Sequence, residues 1–136
     1  MAVLVWNSNW DIGIDSIDNE HKKLIGLINR LQAGGVLPGK REVDAVLTEL
    51  MDYTVYHFAN EEKLFKKYAY PDAAAHVKAH MVFTDRIAGL CDVFDKGSTA
   101  VGQEAVDFLR DWLVNHIILL DKKYALFLSR KNINQA

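Results

Sequence analysis

The sequence predicts an all-α protein, an antiparallel up-down four-helix bundle with an N-terminal extended arm. Three observations carry this. Four long segments repeat apolar residues every three or four positions, the spacing that lines one face of a helix. The stretches between them are short and rich in glycine or proline, so consecutive helices should pack side by side. No segment alternates apolar and polar residues cleanly over the length of a strand.

Residues 1–17 come nearest to alternation, through Trp6, Trp10, Ile12 and Ile14, but only loosely. They read as an arm lying across the outside of the bundle, held there by two tryptophans. The first helix is expected at about 18–33, started by Ser16 or Asp18 as a cap. Its inward stripe is Ile17, His21, Leu24, Ile28 and Leu31, and Gly34-Gly35 ends it, with Pro38-Gly39 in the loop beyond. The second helix spans about 41–65, with Val43, Val46, Leu50, Thr54, His57, Glu61 and Leu64 on one face. Tyr68 to Pro71 connects onward, with Tyr70 pushed out of the helical region by Pro71. The third helix, about 72–95, carries His76, His80, Phe83, Ile87, Leu90 and Phe94, and Lys96-Gly97 stops it. The fourth, about 100–128, carries Val101, Ala105, Phe108, Trp112 and His116, then Leu120, Tyr124 and Phe127. The last eight residues are polar and read as frayed.

A chain of 136 residues fits one domain, 1–136, with one core. Half its residues are hydrophobic and a quarter charged, as in an ordinary globular protein. A net charge of -2 argues against nucleic acid as a partner. The apolar runs are too short for an integral membrane segment, and the N-terminus does not read as a signal peptide. The single cysteine, Cys91, sits on an apolar helical face between Ile87 and Phe94 and reads as a small buried hydrophobe. A reducing, cytoplasmic setting is expected. The small charge and the lack of an obvious exposed apolar stripe favour a monomer.

The chemistry lies in the histidines. There are five, and each falls on an inward stripe. His57 and Glu61 are four apart, as are His76 and His80, so each pair shares a helix face. His116 and Asp121 are five apart, within His116-Ile117-Ile118-Leu119-Leu120-Asp121. Five regular helical steps land roughly 140° from the starting face. For both residues to point inward, the helix must widen locally, as in a π-bulge. Burying Asp121 among such apolar residues also demands a compensating partner.

Each residue has an ordinary reading by itself. A single inward histidine is commonly a hydrogen-bonded core residue, Glu61 and Asp121 could edge solvated faces, and His21 could merely help start a helix. Jointly these readings fail, because five inward histidines on four helices would then share no cause. Five imidazoles and two carboxylates exceed the needs of one metal and suit two. Such donors favour iron, manganese or zinc. Structural zinc usually takes four ligands, often with cysteine, so di-iron is the better fit.

At this point the sequence resembles the hemerythrin family and, as a single short chain, its bacteriohemerythrins. The resemblance runs through Trp10-Asp11-Ile12-Gly13-Ile14-Asp15-Ser16-Ile17-Asp18-Asn19-Glu20-His21-Lys22-Lys23-Leu24. His57-x-x-x-Glu61, His76-x-x-x-His80 and His116-x-x-x-x-Asp121 then follow in family order. The resemblance implies two iron ions, one bound by His76, His80 and His116 and the other by His21 and His57. Glu61 and Asp121 would bridge them together with an oxo or hydroxo group. The two-histidine iron would then keep a position open for dioxygen.

The expected function is reversible oxygen binding for storage or delivery, without enzymatic turnover, with an oxygen-consuming enzyme as a candidate partner. Oxygen-activating di-iron bundles carry four carboxylates and paired Glu-x-x-His motifs, and this chain has neither. Leu24, Phe58, Trp112 and Ile117 flank the ligands in sequence and are expected to wall the oxygen pocket. The alternatives are oxygen or redox sensing through a separate partner, peroxide or nitric oxide chemistry at the same centre, and iron storage.

Overall fold

The computed structural model describes residues 5–32, 40–95 and 103–130. It is all-helical across those residues. Helix α1 spans Asp15–Gln32, α2 Lys40–Lys67 and α3 Ala73–Asp95. The fourth rod is α4, Gln103–His116, then a π turn over Ile117–Asp121, then α5, Lys122–Arg130. Contacts link α1 to α2, α2 to α3, α3 to α4 and α4 back to α1, which closes the up-down ring. The loops around Gly34-Gly35, Pro38-Gly39 and Lys96-Gly97, the last six residues, and the side chains of Val43, Phe94 and Val101 lie outside the described residues.

The arm contains a short 3-10 turn, Ser8–Trp10, capped by the Asn7 side chain, which accepts from the Asn9 N–H at 2.8 Å. Trp6 and Trp10 meet edge to face with ring centroids 5.4 Å apart, and both pack half-buried on the core. The Trp6 indole N–H donates to Asp11 at 2.9 Å. The first helix starts three residues earlier than the cap reading placed it. Gly13 has φ +92°, a turn that favours glycine, and Ile14 C=O then accepts from Asp18 N–H at 2.8 Å. Asp18 therefore sits inside the first turn. Its carboxylate reaches back to accept from the N–H groups of Ile12 at 2.8 Å and Gly13 at 3.2 Å, tying arm to helix.

Helix α2 ends in a Schellman motif. Tyr70 N–H donates to Phe65 C=O at 2.9 Å and Ala69 N–H to Lys66 C=O at 3.5 Å. Ala69 takes the left-handed position at φ +52°, where glycine is the usual choice. The Tyr70 and Phe65 rings, 5.2 Å apart, supply the accompanying apolar contact.

Two apolar clusters make the core. The larger joins residues such as Leu24, Ile28, Leu50, Phe83, Ile87, Leu109, Leu113 and Ile117. The smaller joins Ile14, Ile17, Leu64, Phe65, Tyr70, Tyr124, Ala125 and Leu128. On α2 the polar pair His57 and Glu61 falls between Leu50 and Leu64, so the site lies between the clusters. The α4 stripe is rotated from the expected one. Leu109, Leu113 and Ile117 are the fully buried residues, while Phe108 and Trp112 are half-buried. Large aromatic rings reach the core from the flank of the helix, leaving its centre line to compact leucines. Cys91 is likewise half-buried at the edge of the core, because its turn of α3 is only partly covered.

Candidate metal centre

The widened turn is where the spacing of His116 and Asp121 demanded it. Across Ile117–Asp121, Lys122 N–H donates to Ile117 C=O, five residues back. That extra residue per turn brings Asp121 round to the face of His116, and the carboxylate is fully buried. Leu119 and Ile118, displaced by the same turn, are exposed.

All seven predicted residues converge, and every one is buried. Asp121 lies at the centre. Its Oδ1 is 2.9 Å from His76 Nε2 and 3.1 Å from His116 Nε2, and its Oδ2 is 3.0 Å from His21 Nε2. Glu61 Oε1 is 3.3 Å from His57 Nε2 and 3.2 Å from His80 Nε2. The donor atoms form two groups, each with its members within 4.8 Å of one another. One comprises His76, His80, His116, Glu61 and Asp121, and the other His21, His57, Glu61 and Asp121. The two carboxylates belong to both groups.

The chemistry of this donor set fits a pair of cations. Buried polar atoms are normally hydrogen-bonded, and an unmade bond costs about 1–3 kcal/mol. Here His21 Nε2, His57 Nε2, His80 Nε2, Glu61 Oε1 and both Asp121 oxygens have no aligned hydrogen bond despite their proximity. They face a shared space, not one another. His76 and His116 bring their Nε2 atoms to 3.0 Å. Two unprotonated ring nitrogens at that distance repel, whereas a cation accepts both lone pairs.

Neighbours fix the rings. Phe58 stacks on His80 at 3.7 Å and 3° between planes, and Trp112 stacks on His116 at 4.5 Å and 12°. Phe65 packs on His76 at 4.7 Å. His80 Nδ1 meets Glu62 at 2.9 Å and His57 Nδ1 meets Glu20 at 2.7 Å. Asn60 donates to the other Glu20 oxygen at 3.0 Å. Tyr124 O–H donates to Glu61 Oε2 at 2.6 Å. Of the expected pocket residues, Leu24 and Ile117 are fully buried, Phe58 is buried and Trp112 is half-buried, all in the larger cluster.

Sequence reasoning did not find Glu20, Asn60, Glu62 or Tyr124 as parts of the site. Tyr124 stands on the inward stripe as core, and Glu62 is off the stripe that carries His57 and Glu61. Glu20 adjoins His21 yet serves His57, 37 positions away, a partnership no local period encodes.

Charges follow from these contacts. Burial opposes a charged His57, but the Glu61 carboxylate and the Glu20 hydrogen bond outweigh it and raise the imidazole to about 10. Burial and the nearby Asp121 oppose ionisation of Glu61, yet the facing histidines win and its carboxyl lies below the usual range. Asp121 is held well below that range because His116, His21 and His76 outweigh its burial. Burial, then the charges of Glu61 and Asp121, push the Tyr124 phenol well up, so it remains a donor. Among the described residues, no helix is long and apolar enough to cross a membrane.

Comparison with known proteins finds relatives along most of the chain. Residues 12–125 match the family model described as "Hemerythrin HHE cation binding domain". The chain is 39% identical over 125 residues to "Bacteriohemerythrin" of Stenotrophomonas maltophilia, covering 92% of this chain and 81% of the relative. It is 34% identical over 134 residues to "Bacteriohemerythrin" of Methylococcus capsulatus, covering 95% of this chain and 99% of that one. A crystal structure titled as wild-type hemerythrin superposes with a TM-score of 0.86 at 34% identity, covering 94% of this chain and 99% of that chain.

Proposed function

The chain belongs to the hemerythrin family, and from that premise we propose that it binds dioxygen reversibly at a non-haem di-iron centre, for storage or delivery. The observation that carries the reading is the pair of donor groups that share Glu61 and Asp121 but differ by one histidine. His76, His80 and His116 would hold one iron, His21 and His57 the other, with both carboxylates bridging. An iron pair held there would supply the electrons for reversible dioxygen uptake. The lobe with fewer histidines is where a small ligand would be accommodated.

The chain's own residues have three tasks in this reading. The imidazoles and carboxylates hold the metals while keeping net charge low, since five of the seven donors are neutral when ligating. Two carboxylates in place of the four of oxygen-activating bundles donate less charge, which favours carriage over turnover. Leu24, Phe58, Trp112 and Ile117 keep water from the site, which slows irreversible oxidation. Tyr124 directs its hydroxyl at Glu61 and so holds that carboxylate in one orientation.

The test is a visible spectrum with iron quantitation on protein reduced without oxygen and then exposed to it. Two irons per chain, with an absorption band that appears in oxygen and vanishes on deoxygenation, are the expected result. Irreversible oxidation on first exposure would sink carriage and favour sensing or enzymatic chemistry. A chain that takes up no iron would remove the centre itself.

A further inference from the structure

The five imidazoles are not backed equally. Each turns its Nε2 toward the shared space, so the opposite ring nitrogen, Nδ1, is the handle by which the protein can orient and tune it. Two of the five have a carboxylate on that handle, one in each donor group. His57, in the two-histidine group, has Glu20 at 2.7 Å. His80, in the three-histidine group, has Glu62 at 2.9 Å. By contrast, His21 Nδ1 is buried with no hydrogen-bond partner.

The two carboxylates differ in setting. The side chain of Glu62 is 39% exposed, where water competes for it, and that of Glu20 is 11% exposed. Glu20 is also fixed from behind, because Asn60 Nδ2 donates to its second oxygen at 3.0 Å. Glu20 and Asn60 both line a groove of about 370 Å³ between α1 and α2, edged by Tyr56, Lys63 and Lys67. An acidic side chain with both oxygens engaged and less of its surface in water orients a ring more firmly than a more exposed one.

We propose that Asn60, Glu20 and His57 form a positioning relay that sets the metal affinity and electron donation of the two-histidine lobe, with Glu62 a weaker counterpart for the other. Glu20 is a positioning residue, acting through His57. A carboxylate on Nδ1–H locks the tautomer with its lone pair on Nε2 and makes that lone pair a stronger donor. The relay thereby compensates the lobe with fewer histidines. The inference rests on the two-metal reading above.

Cobalt(II) titration of the full metal-free chain, followed by its visible d–d bands, separates the two lobes. The native chain should take up two cobalt ions in two steps. In Glu20→Gln one step should weaken by about 10–100-fold while the other stays put. In Glu62→Gln the opposite step should weaken, and by less. In the zinc-loaded chain, the exchange-protected His57 Nδ1 proton should lose its downfield NMR shift in Glu20→Gln, a change that loss of packing alone does not produce. Loss of that shift together with the selective weakening would support the relay. Unchanged affinities, or equal weakening of both steps, would overturn it. Should Glu20→Gln fail to fold, Asn60→Ala decides by the same titration. A smaller loss at the same step supports the relay, and no loss overturns it. A native chain that binds fewer than two cobalt ions would instead remove the two-metal reading.

Discussion

The two lobes of the centre share both carboxylates but are held by different forces. The three-histidine lobe is held mostly by packing, with one hydrogen bond between His80 and the part-exposed Glu62. Phe58, Trp112 and Phe65 lie against His80, His116 and His76, and Phe83 stacks in turn on Trp112 at 4.4 Å. The two-histidine lobe is built by polar contacts. His57 is held by Glu20 and Asn60, and His21 meets His57 edge to face at 4.7 Å. Stacked rings resist tilting from several sides at once, whereas one strong hydrogen bond fixes an axis and leaves space beside it.

The most disruptive way to test the contrast is to remove what the lobes share. Asp121 touches His21, His76 and His116. Asp121→Ala should therefore abolish binding at both lobes, read as iron per chain falling from two to near none. Retention of one iron would show that a lobe stands without the shared carboxylate.

Removing one histidine sharpens the comparison. His21→Ala should leave one iron per chain, because the three-histidine lobe keeps all its donors and its packing. Loss of both irons would mean that the lobes load only together.

Trp112→Ala attacks the packed lobe without touching a ligand. Truncating a buried tryptophan costs about 3–5 kcal/mol, and Trp112 is half-buried, so about 2–3 kcal/mol by denaturant unfolding is expected. Autoxidation of the oxygenated form should also speed up, and an unchanged rate would deny Trp112 a role in keeping water out.

The mildest probe is pH, and it acts on the polar lobe. In the metal-free chain His57 is raised from 6.5 to about 10, so it is charged at neutral pH. A raised pKa contributes stability that is complete below about pH 6.5 and fades as pH climbs through about 10. Metal-free protein should lose stability across that window, measured by urea unfolding, whereas the metal-loaded chain should not. Metal uptake at pH 7 should also release a proton from His57, visible by calorimetry in buffers of different ionisation enthalpy.

How much of this was legible in advance depends on the distance over which each residue acts. The stripe Ile17, His21, Leu24, Ile28 and Leu31 was readable because helical spacing converts position directly into direction, and all five are buried. The same arithmetic flagged the π turn, since His116 and Asp121, five positions apart, cannot share a face of a regular helix. The start of α1 was misplaced because Asp18 was read as a cap facing forward, when it reaches back to Ile12 and Gly13. On α4 the periodic match picked Phe108 and Trp112, and only packing against neighbouring helices put Leu109 and Leu113 at the centre.

By itself, then, the sequence determined the helices, their inward faces and the kinds of donor each would offer, because these depend on spacing within one element. Only the tertiary structure decided what stands behind the donors. Glu20 meets His57 across 37 residues, Tyr124 meets Glu61 across 63, and Glu62 meets His80 across 18. Those pairings depend on the rotation and offset of one helix against another. Burial and side-chain packing over the whole bundle set them, and no local period records them.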